Sequence, residues 1–364
     1  MLPADQKPSS VSILADPLLS ASLYCAGRLD EVIGGLVAPV WRALRREGLG
    51  DESYLWMLRY ARGGEHLKLR LHGPESAATC FRERLDLEQR DFFANLEPAP
   101  SSTTQGLVTR SAPAIDVEDA GPEVHPDRAL RWTTYLRSPL SLGPQHLLDD
   151  ERYLHGVTRC LGRATEIVLR HLGSAPGGRQ PFKARRNLLL RALVAGLSRL
   201  PFSPDERALY VLYHRDTLLR FLRRRQTLSL EVNLVEDGPA AMTRTVGRFD
   251  TEVRRLRTEE DPWAGWHRGE AARDPSPWDR DLREWSLDLA GFWRYAELRC
   301  SGTQSALDPF AIHLAFPLLF KAIHGLANQA GVNHLNEAFL HHLLASSTLN
   351  GSDSLPPVQL VPEL

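Results

Sequence analysis

The sequence is poor in cysteine, poor in lysine and free of long apolar runs. Its four cysteines (Cys25, Cys80, Cys160, Cys300) are scattered without a CxxC pair. That argues against a disulfide framework and a structural zinc site, and predicts reduced, mostly buried thiols. No window approaches 18 consecutive apolar residues, which excludes a transmembrane helix. The first residues lack a basic stretch leading into an apolar run, so no secretory signal is expected and a cytoplasmic location is. Net charge is nearly absent too, with 44 Lys plus Arg against 45 Asp plus Glu. That balance excludes a general polyanion binder, and no nucleic-acid partner is predicted. Only four of the cations are lysines (Lys7, Lys68, Lys183, Lys321). What is present is ordinary for a globular chain: 364 residues, 43% hydrophobic and 24% charged. Such a chain can bury a core without metal or disulfide support.

Residues 20–48 show apolar positions at helical spacing (Leu29, Ile33, Leu36, Val40, Leu44), with Pro39 as a possible kink and Gly48 as the stop. The strongest β signal follows. YLWMLRY alternates, ARGGE supplies a turn, and alternation resumes to His72, which predicts a hairpin. Residues 74–96 read as a helix opened by Pro74. Residues 97–127 are rich in Pro, Ser, Thr and Gly and read as loop, with a short strand at Gln105–Arg110 and another in RWTTYLRS (131–138). Helical patterns dominate from Leu147 to Arg225. Residues 226–250 are ambiguous and 261–279 irregular. Three more helices close the chain: the Trp-rich WDRDLREWSLDLAGFWRYAELRC, then DPFAIHLAFPLLFKAIHGLANQAG, then NHLNEAFLHHLLASS. Strands first and helices later mean an α+β fold, an antiparallel sheet packed with several helices. The whole of 1–364 is expected to form one catalytic unit.

Alternation places His66, Lys68, Arg70 and His72 on one face of the second hairpin strand, about 6–7 Å apart, with Leu67, Leu69 and Leu71 on the other. Four basic groups in a row repel unless something anionic or polar meets them. They suit an anion or a carbonyl oxygen; the alternative is an edge strand charged against aggregation.

This block resembles the opening of the elimination domain of class I lantibiotic dehydratases. The family pattern of an Arg-Tyr pair, a turn and His-Leu-Arg-Leu-Arg is met by Arg59-Tyr60 and His66-Leu67-Lys68-Leu69-Arg70. A later Ile-His and Asn-Arg block is met by Ile323-His324 and Asn328-Gln329. Three departures stand out. Lys68 and Gln329 stand where arginines are expected, and a Tyr-Gly-Gly segment is absent. Lysine does not replace a bidentate guanidinium, so the carboxylate clamp for expelling glutamate is weakened. The departures look like the branch found in thiopeptide biosynthesis, the pyridine synthases. That resemblance implies a cofactor-independent cyclase acting on a leader-bearing azole peptide, joining two dehydroalanines by a formal [4+2] cycloaddition. The alternatives are a glutamate-eliminating lyase and a non-catalytic precursor-binding protein.

The resemblance and the residue types together nominate His66, Lys68, Arg70, Ser286, Tyr295 and His324 for catalysis, as donors to an imidate oxygen or as acid and base. Tyr24, Trp285 and Gln329 are nominated for substrate binding. Arg220, Arg223 and Arg224 are nominated for an acidic leader, with the run at 184–191 beside them. His334, His341 and His342 match no ligand spacing, so no metal or other cofactor is predicted. The implied partners are the precursor peptide and possible further biosynthetic enzymes.

Overall fold

The computed structural model describes residues 19–60, 65–97, 127–133, 150–173, 182–202, 204–232, 277–301 and 311–348. The expected loop at 97–127, apart from its two ends, the short strand at 105–110 and residues 261–276 of the irregular stretch 261–279 lie outside them; residues 277–279 are not irregular but open a helix. The chain divides into two compact units, Met1–Pro181 with Gly291–Ala330, and Phe182–Ala290 with Gly331–Leu364.

The first unit is built on a four-stranded antiparallel sheet of order β2-β3-β1-β4. Its strands are β1 (Leu19–Tyr24), β2 (Tyr54–Tyr60), β3 (His66–His72) and β4 (Ala129–Thr133). The hairpin stands where its alternation puts it, pairing Tyr54 with His72 through Tyr60 with His66. The first element corrects the sequence reading. Residues 19–24 are a strand, not the start of a helix. Ser20, Ser22 and Tyr24 alternate with Ala21 and Leu23, and β1 lies between β3 and β4 with both faces covered. A helical pattern ran into it because short apolar runs fit either period. β1 also makes β3 an interior strand, not a charged edge.

Helix α1 runs through Leu29–Val32, a π-helical turn at Ile33–Val37, and Ala38–Arg46. Pro39 cannot donate to the residue one turn earlier, and the wide turn just before it absorbs the lost bond. Gly48, at φ +76°, follows the end of the helix in the left-handed conformation. Helix α2 (Glu75–Asn95) buries Phe81, Leu85 and Phe93 and meets β4 where Trp132 Nε1 donates to Asp86 Oδ1 at 2.8 Å. Leu67, Leu69 and Leu71 are all buried. With Ala21, Leu23, Leu55 and Met57 they form the apolar face of the sheet.

Helices α3 (Glu151–Gly173) and α7 (Ala311–Gln329) pack on β2 and on each other. Close approach needs small residues: a Cβ on Gly162 would meet Tyr54 Cβ at 3.2 Å, and one on Gly325 would meet Leu161 at 2.3 Å. β2 borders no further strand in this sheet, and helix side chains meet the outward backbone groups of Met57 and Arg59. Met57 N–H donates to Thr165 Oγ1 at 3.3 Å. Arg59 N–H donates to Asn328 Oδ1 at 2.8 Å, and Asn328 Nδ2 donates back to the Arg59 carbonyl at 3.2 Å. Asn328 thus imitates one residue of a neighbouring strand. Arg59 returns the contact: its Nε donates to the Gln329 carbonyl at the end of α7 (3.0 Å), and its Nη2 pairs with Asp30 at 2.6 Å.

The second unit is helical among the described residues. It contains α4 (Phe182–Arg199), α5 (Pro204–Val232) and α8 (His334–Thr348). α5 continues past Arg225 into the stretch that sequence left ambiguous. α6 (Pro277–Ser301) has residues in both units. No helix among the described residues is long and apolar enough to cross a membrane.

Replacing Asn328 by Ala orphans one N–H and one C=O of a half-buried strand edge, at about 1–3 kcal/mol per group. Urea unfolding of Asn328→Ala should show a loss of stability of at least about 1 kcal/mol with an unchanged slope. A loss below the error of that measurement would remove the clamp from the account of β2.

Candidate functional site

The register assembles one face of the sheet from all four strands. Across it run Tyr60, His66, Tyr24 and Ala129, then Leu58, Lys68, Ser22 and Arg131, then Trp56, Arg70, Ser20 and Thr133. His66, Lys68 and Arg70 are buried, as are Ser20 and Ser22. Sequence reasoning pictured a basic row beside a packed face; here both faces of β3 are inside the protein.

Each basic group of β3 is seated on an aromatic ring. The His66 ring lies between Tyr24 (centroids 4.6 Å, tilted 36°) and Tyr60 (5.6 Å, 15°). Lys68 Nζ stands 4.6 Å from the centre of the Tyr60 ring, and the Arg70 guanidinium 4.8 Å from that of Trp56. His72 stacks on the far side of the row, 6.4 Å from Trp56. A cation on a π face is attracted by the ring quadrupole, and the attraction grows once water is gone. The rings also fix where each cation points. Trp56 adds a donor, for its buried indole N–H has no hydrogen-bond partner among the described residues. The face therefore combines oriented cations, hydroxyls and one indole N–H in a low-dielectric setting. Such a surface stabilises negative charge developing on a carbonyl or imidate oxygen.

The structure groups four of the nominated residues here: His66, Lys68, Arg70 and Tyr24. Gln329 has another task. It is fully buried at the end of α7. Its Oε1 sits 3.0 Å from Thr165 Oγ1, and its Nε2 donates to the Leu161 carbonyl at 3.3 Å, so its amide ties α7 to α3. His324 stacks on Phe320 one turn earlier in α7, at 5.3 Å. Tyr295 donates to Asp150 Oδ2, while Asp150 Oδ1 accepts from the N–H groups of Arg152 and Tyr153 at the start of α3. Ser286 and Trp285 lie in the second unit. The Ser286 hydroxyl donates within α6 to the Arg283 carbonyl (2.7 Å), and Trp285 is buried against Gly196. Arg220 is exposed on α5, turned to the Asp216 carbonyl and Thr217 Oγ1. Arg223 and Arg224 follow it on the same helix, and their side chains lie outside the described residues.

The two aromatic residues that β2 gives this face were not nominated for the site from sequence. Trp56 and Tyr60 belong to the other hairpin strand, and the signal was there to use: strict pairing across a short turn puts Tyr60 opposite His66 and Trp56 opposite Arg70.

Beside the face, Cys25 follows β1, its N–H donating to the Glu65 carbonyl at 3.1 Å. Burial, with Asp127 nearby, pushes its thiol up to about 12.

A family model described as "Lantibiotic biosynthesis dehydratase C-term" matches residues 19–349. Among solved structures the chain is similar to "Pyridine synthase, TbtD, from thiomuracin biosynthesis", at 16% identity and a TM-score of 0.61, covering 91% of this chain and 97% of that one. It is also similar to the structure titled "Crystal structure of TsrL", at 13% identity and a TM-score of 0.51, covering 92% and 94%. At these identities the likeness is one of fold. No curated protein matches the sequence.

Cys25 should resist alkylation by iodoacetamide at pH 8 in the folded protein, because the thiolate is the reactive form, and should react once urea unfolds the chain. Rapid labelling of native Cys25, read by peptide mass spectrometry, would contradict the burial described.

Proposed function

The chain belongs to the lantibiotic dehydratase C-terminal family, and from that premise we propose that it is a cofactor-independent cyclase of thiopeptide biosynthesis that forms a pyridine ring. Its substrate is an azole-bearing precursor peptide, still attached to its leader, with two dehydroalanines. The amide proton preceding one dehydroalanine moves from nitrogen to oxygen, and the resulting imidic acid is a 2-azadiene. Two carbon–carbon bonds form to the second alkene, one from the methylene carbon and one from the imidate carbon of the diene, and the nitrogen stays in the ring. The ring hydroxyl leaves as water, the leader leaves as a carboxamide, and the ring becomes aromatic.

The observation that carries this reading is the buried basic face, with Arg70 held on Trp56 and Lys68 on Tyr60. Tautomerisation and dehydration both develop charge on an oxygen, and fixed donors lower that cost without reorganising. Flat azoles suit an aromatic-lined surface. The two alkenes lie far apart in a flexible peptide, so alignment alone accounts for about 7–11 kcal/mol of the barrier a site can remove. Arg70 and Lys68 act as charge stabilisers in this scheme, and Trp56 as a donor to the amide oxygen.

Family membership also favours a second reading, the release of glutamate from a glutamylated Ser or Thr. Against it stand Lys68 in place of a bidentate guanidinium and Gln329, whose amide is spent inside the fold.

Mass spectrometry separates the two. A dehydrated azole peptide should lose water and its leader amide; a glutamylated peptide should be left unchanged. The opposite pattern would replace cyclisation by elimination, and no change in either would remove both. Arg70→Ala should lower turnover by about a hundredfold, as for the loss of an oxyanion donor. Trp56→Phe keeps a ring under Arg70 and removes only the N–H, and turnover should fall about tenfold, one lost donor being worth roughly 1–2 kcal/mol. Both variants should keep the wild-type circular dichroism. Unchanged turnover in both would take this face out of the chemistry.

A further inference from the structure

The second unit holds a polar cluster that the proposed reaction does not use. Where α5 packs on α8, the side chains of His214, Glu337 and His341 meet in the interior, each with 0% of its surface exposed. One potential ligand atom from each lies within 4.8 Å of the other two. His214 Nε2 is 2.8 Å from Glu337 Oε1, and the His214 and His341 rings stack at 3.7 Å.

The hydrogen bonds around the cluster are those of a ligand set. His341 Nδ1 donates to the Glu337 carbonyl at 2.9 Å, which leaves the lone pair on Nε2. His214 Nδ1 is 3.0 Å from the Tyr210 hydroxyl and its Nε2 meets Glu337 Oε1; an ion bound between Nε2 and the carboxylate takes the place of the shared proton, which is released, while Nδ1–H donates to the Tyr210 oxygen. Ligating histidines almost always hold their second nitrogen in this way, on a carbonyl, carboxylate or hydroxyl. Glu337 and His341 stand four residues apart on one face of α8, a spacing that lets two side chains of a helix share an ion. Next to the cluster, Arg215 is turned to Asp216 (2.8 Å) and to His342 Nδ1 (3.0 Å).

We propose that His214, Glu337 and His341 form a buried site for a divalent transition-metal ion of the zinc class, which staples α5 to α8. Two neutral imidazoles and one carboxylate are ligands zinc favours, with the fourth tetrahedral position left to water. Bonds of about 2.0–2.2 Å place ligand atoms roughly 3.4 Å apart in a tetrahedron. The His214–Glu337 pair therefore opens slightly, and the stacked rings turn until both Nε2 atoms face the ion. Sequence spacing hid this site, for His214 lies 123 residues before Glu337.

The test uses the full chain without a histidine tag, stripped with a chelator and titrated with cobalt(II) alone. One equivalent should bind, with the visible absorption of tetrahedral cobalt, and zinc should displace it. X-ray absorption of the zinc form should show two imidazoles and oxygen ligands. Glu337→Gln and His341→Ala should abolish uptake, and Tyr210→Phe should weaken it about 10–100-fold. His171→Ala, in the other unit, should leave it unchanged. A wild-type chain that takes up no cobalt overturns the proposal. So does a zinc spectrum with sulfur ligands or fewer than two imidazoles, a measurement that stands even where a variant fails to fold.

Discussion

An edge strand presents backbone groups that must find partners, and the way β2 finds them fixes much of the first unit. Asn328 and Thr165 supply side-chain donors and acceptors where another strand would have supplied backbone. That demand sets the height of α3 and α7 along the sheet, and Gly162 and Gly325 let the helices come near enough to meet it. Gln329 then locks the two helices to each other. On its other edge β2 pairs with β3, and that register aligns Tyr60 with His66 and Trp56 with Arg70.

The basic face is costly to build. Three cationic or titratable groups lie on one interior strand, and burial of charge opposes folding unless partners repay it. Rings set on both neighbouring strands provide part of that compensation. A face of this kind has low reorganisation: its charges are already oriented and buried. The same property that makes it expensive for stability makes it suited to chemistry in which charge appears on an oxygen.

Most of the first unit was legible in the sequence, because the hairpin and the long helices carry strong periodicity. β1 was not. Six residues of alternating Ser and apolar side chains precede a true helix, and nothing local marks the break except Gly27, which takes a positive φ. Lys68 and Arg70 were readable as a pair on one face, since alternation is local. Their aromatic seats required the cross-strand register. The role of Gln329 was unreadable, because its partners Leu161 and Thr165 are set by tertiary packing of α3 against α7. The cluster on α5 and α8 was invisible for the same reason: its members are joined by helix packing, not by spacing.

The clamp between Asn328 and Arg59 joins residues 269 positions apart. A chain emerging in order completes its hairpin early and its edge very late. Throughout that interval the Arg59 end of β2 offers unpaired backbone to any neighbouring strand, and contacts of such separation close slowly. The structure that keeps the finished sheet well ended thus leaves its longest window for mispairing during synthesis, before α7 has been made.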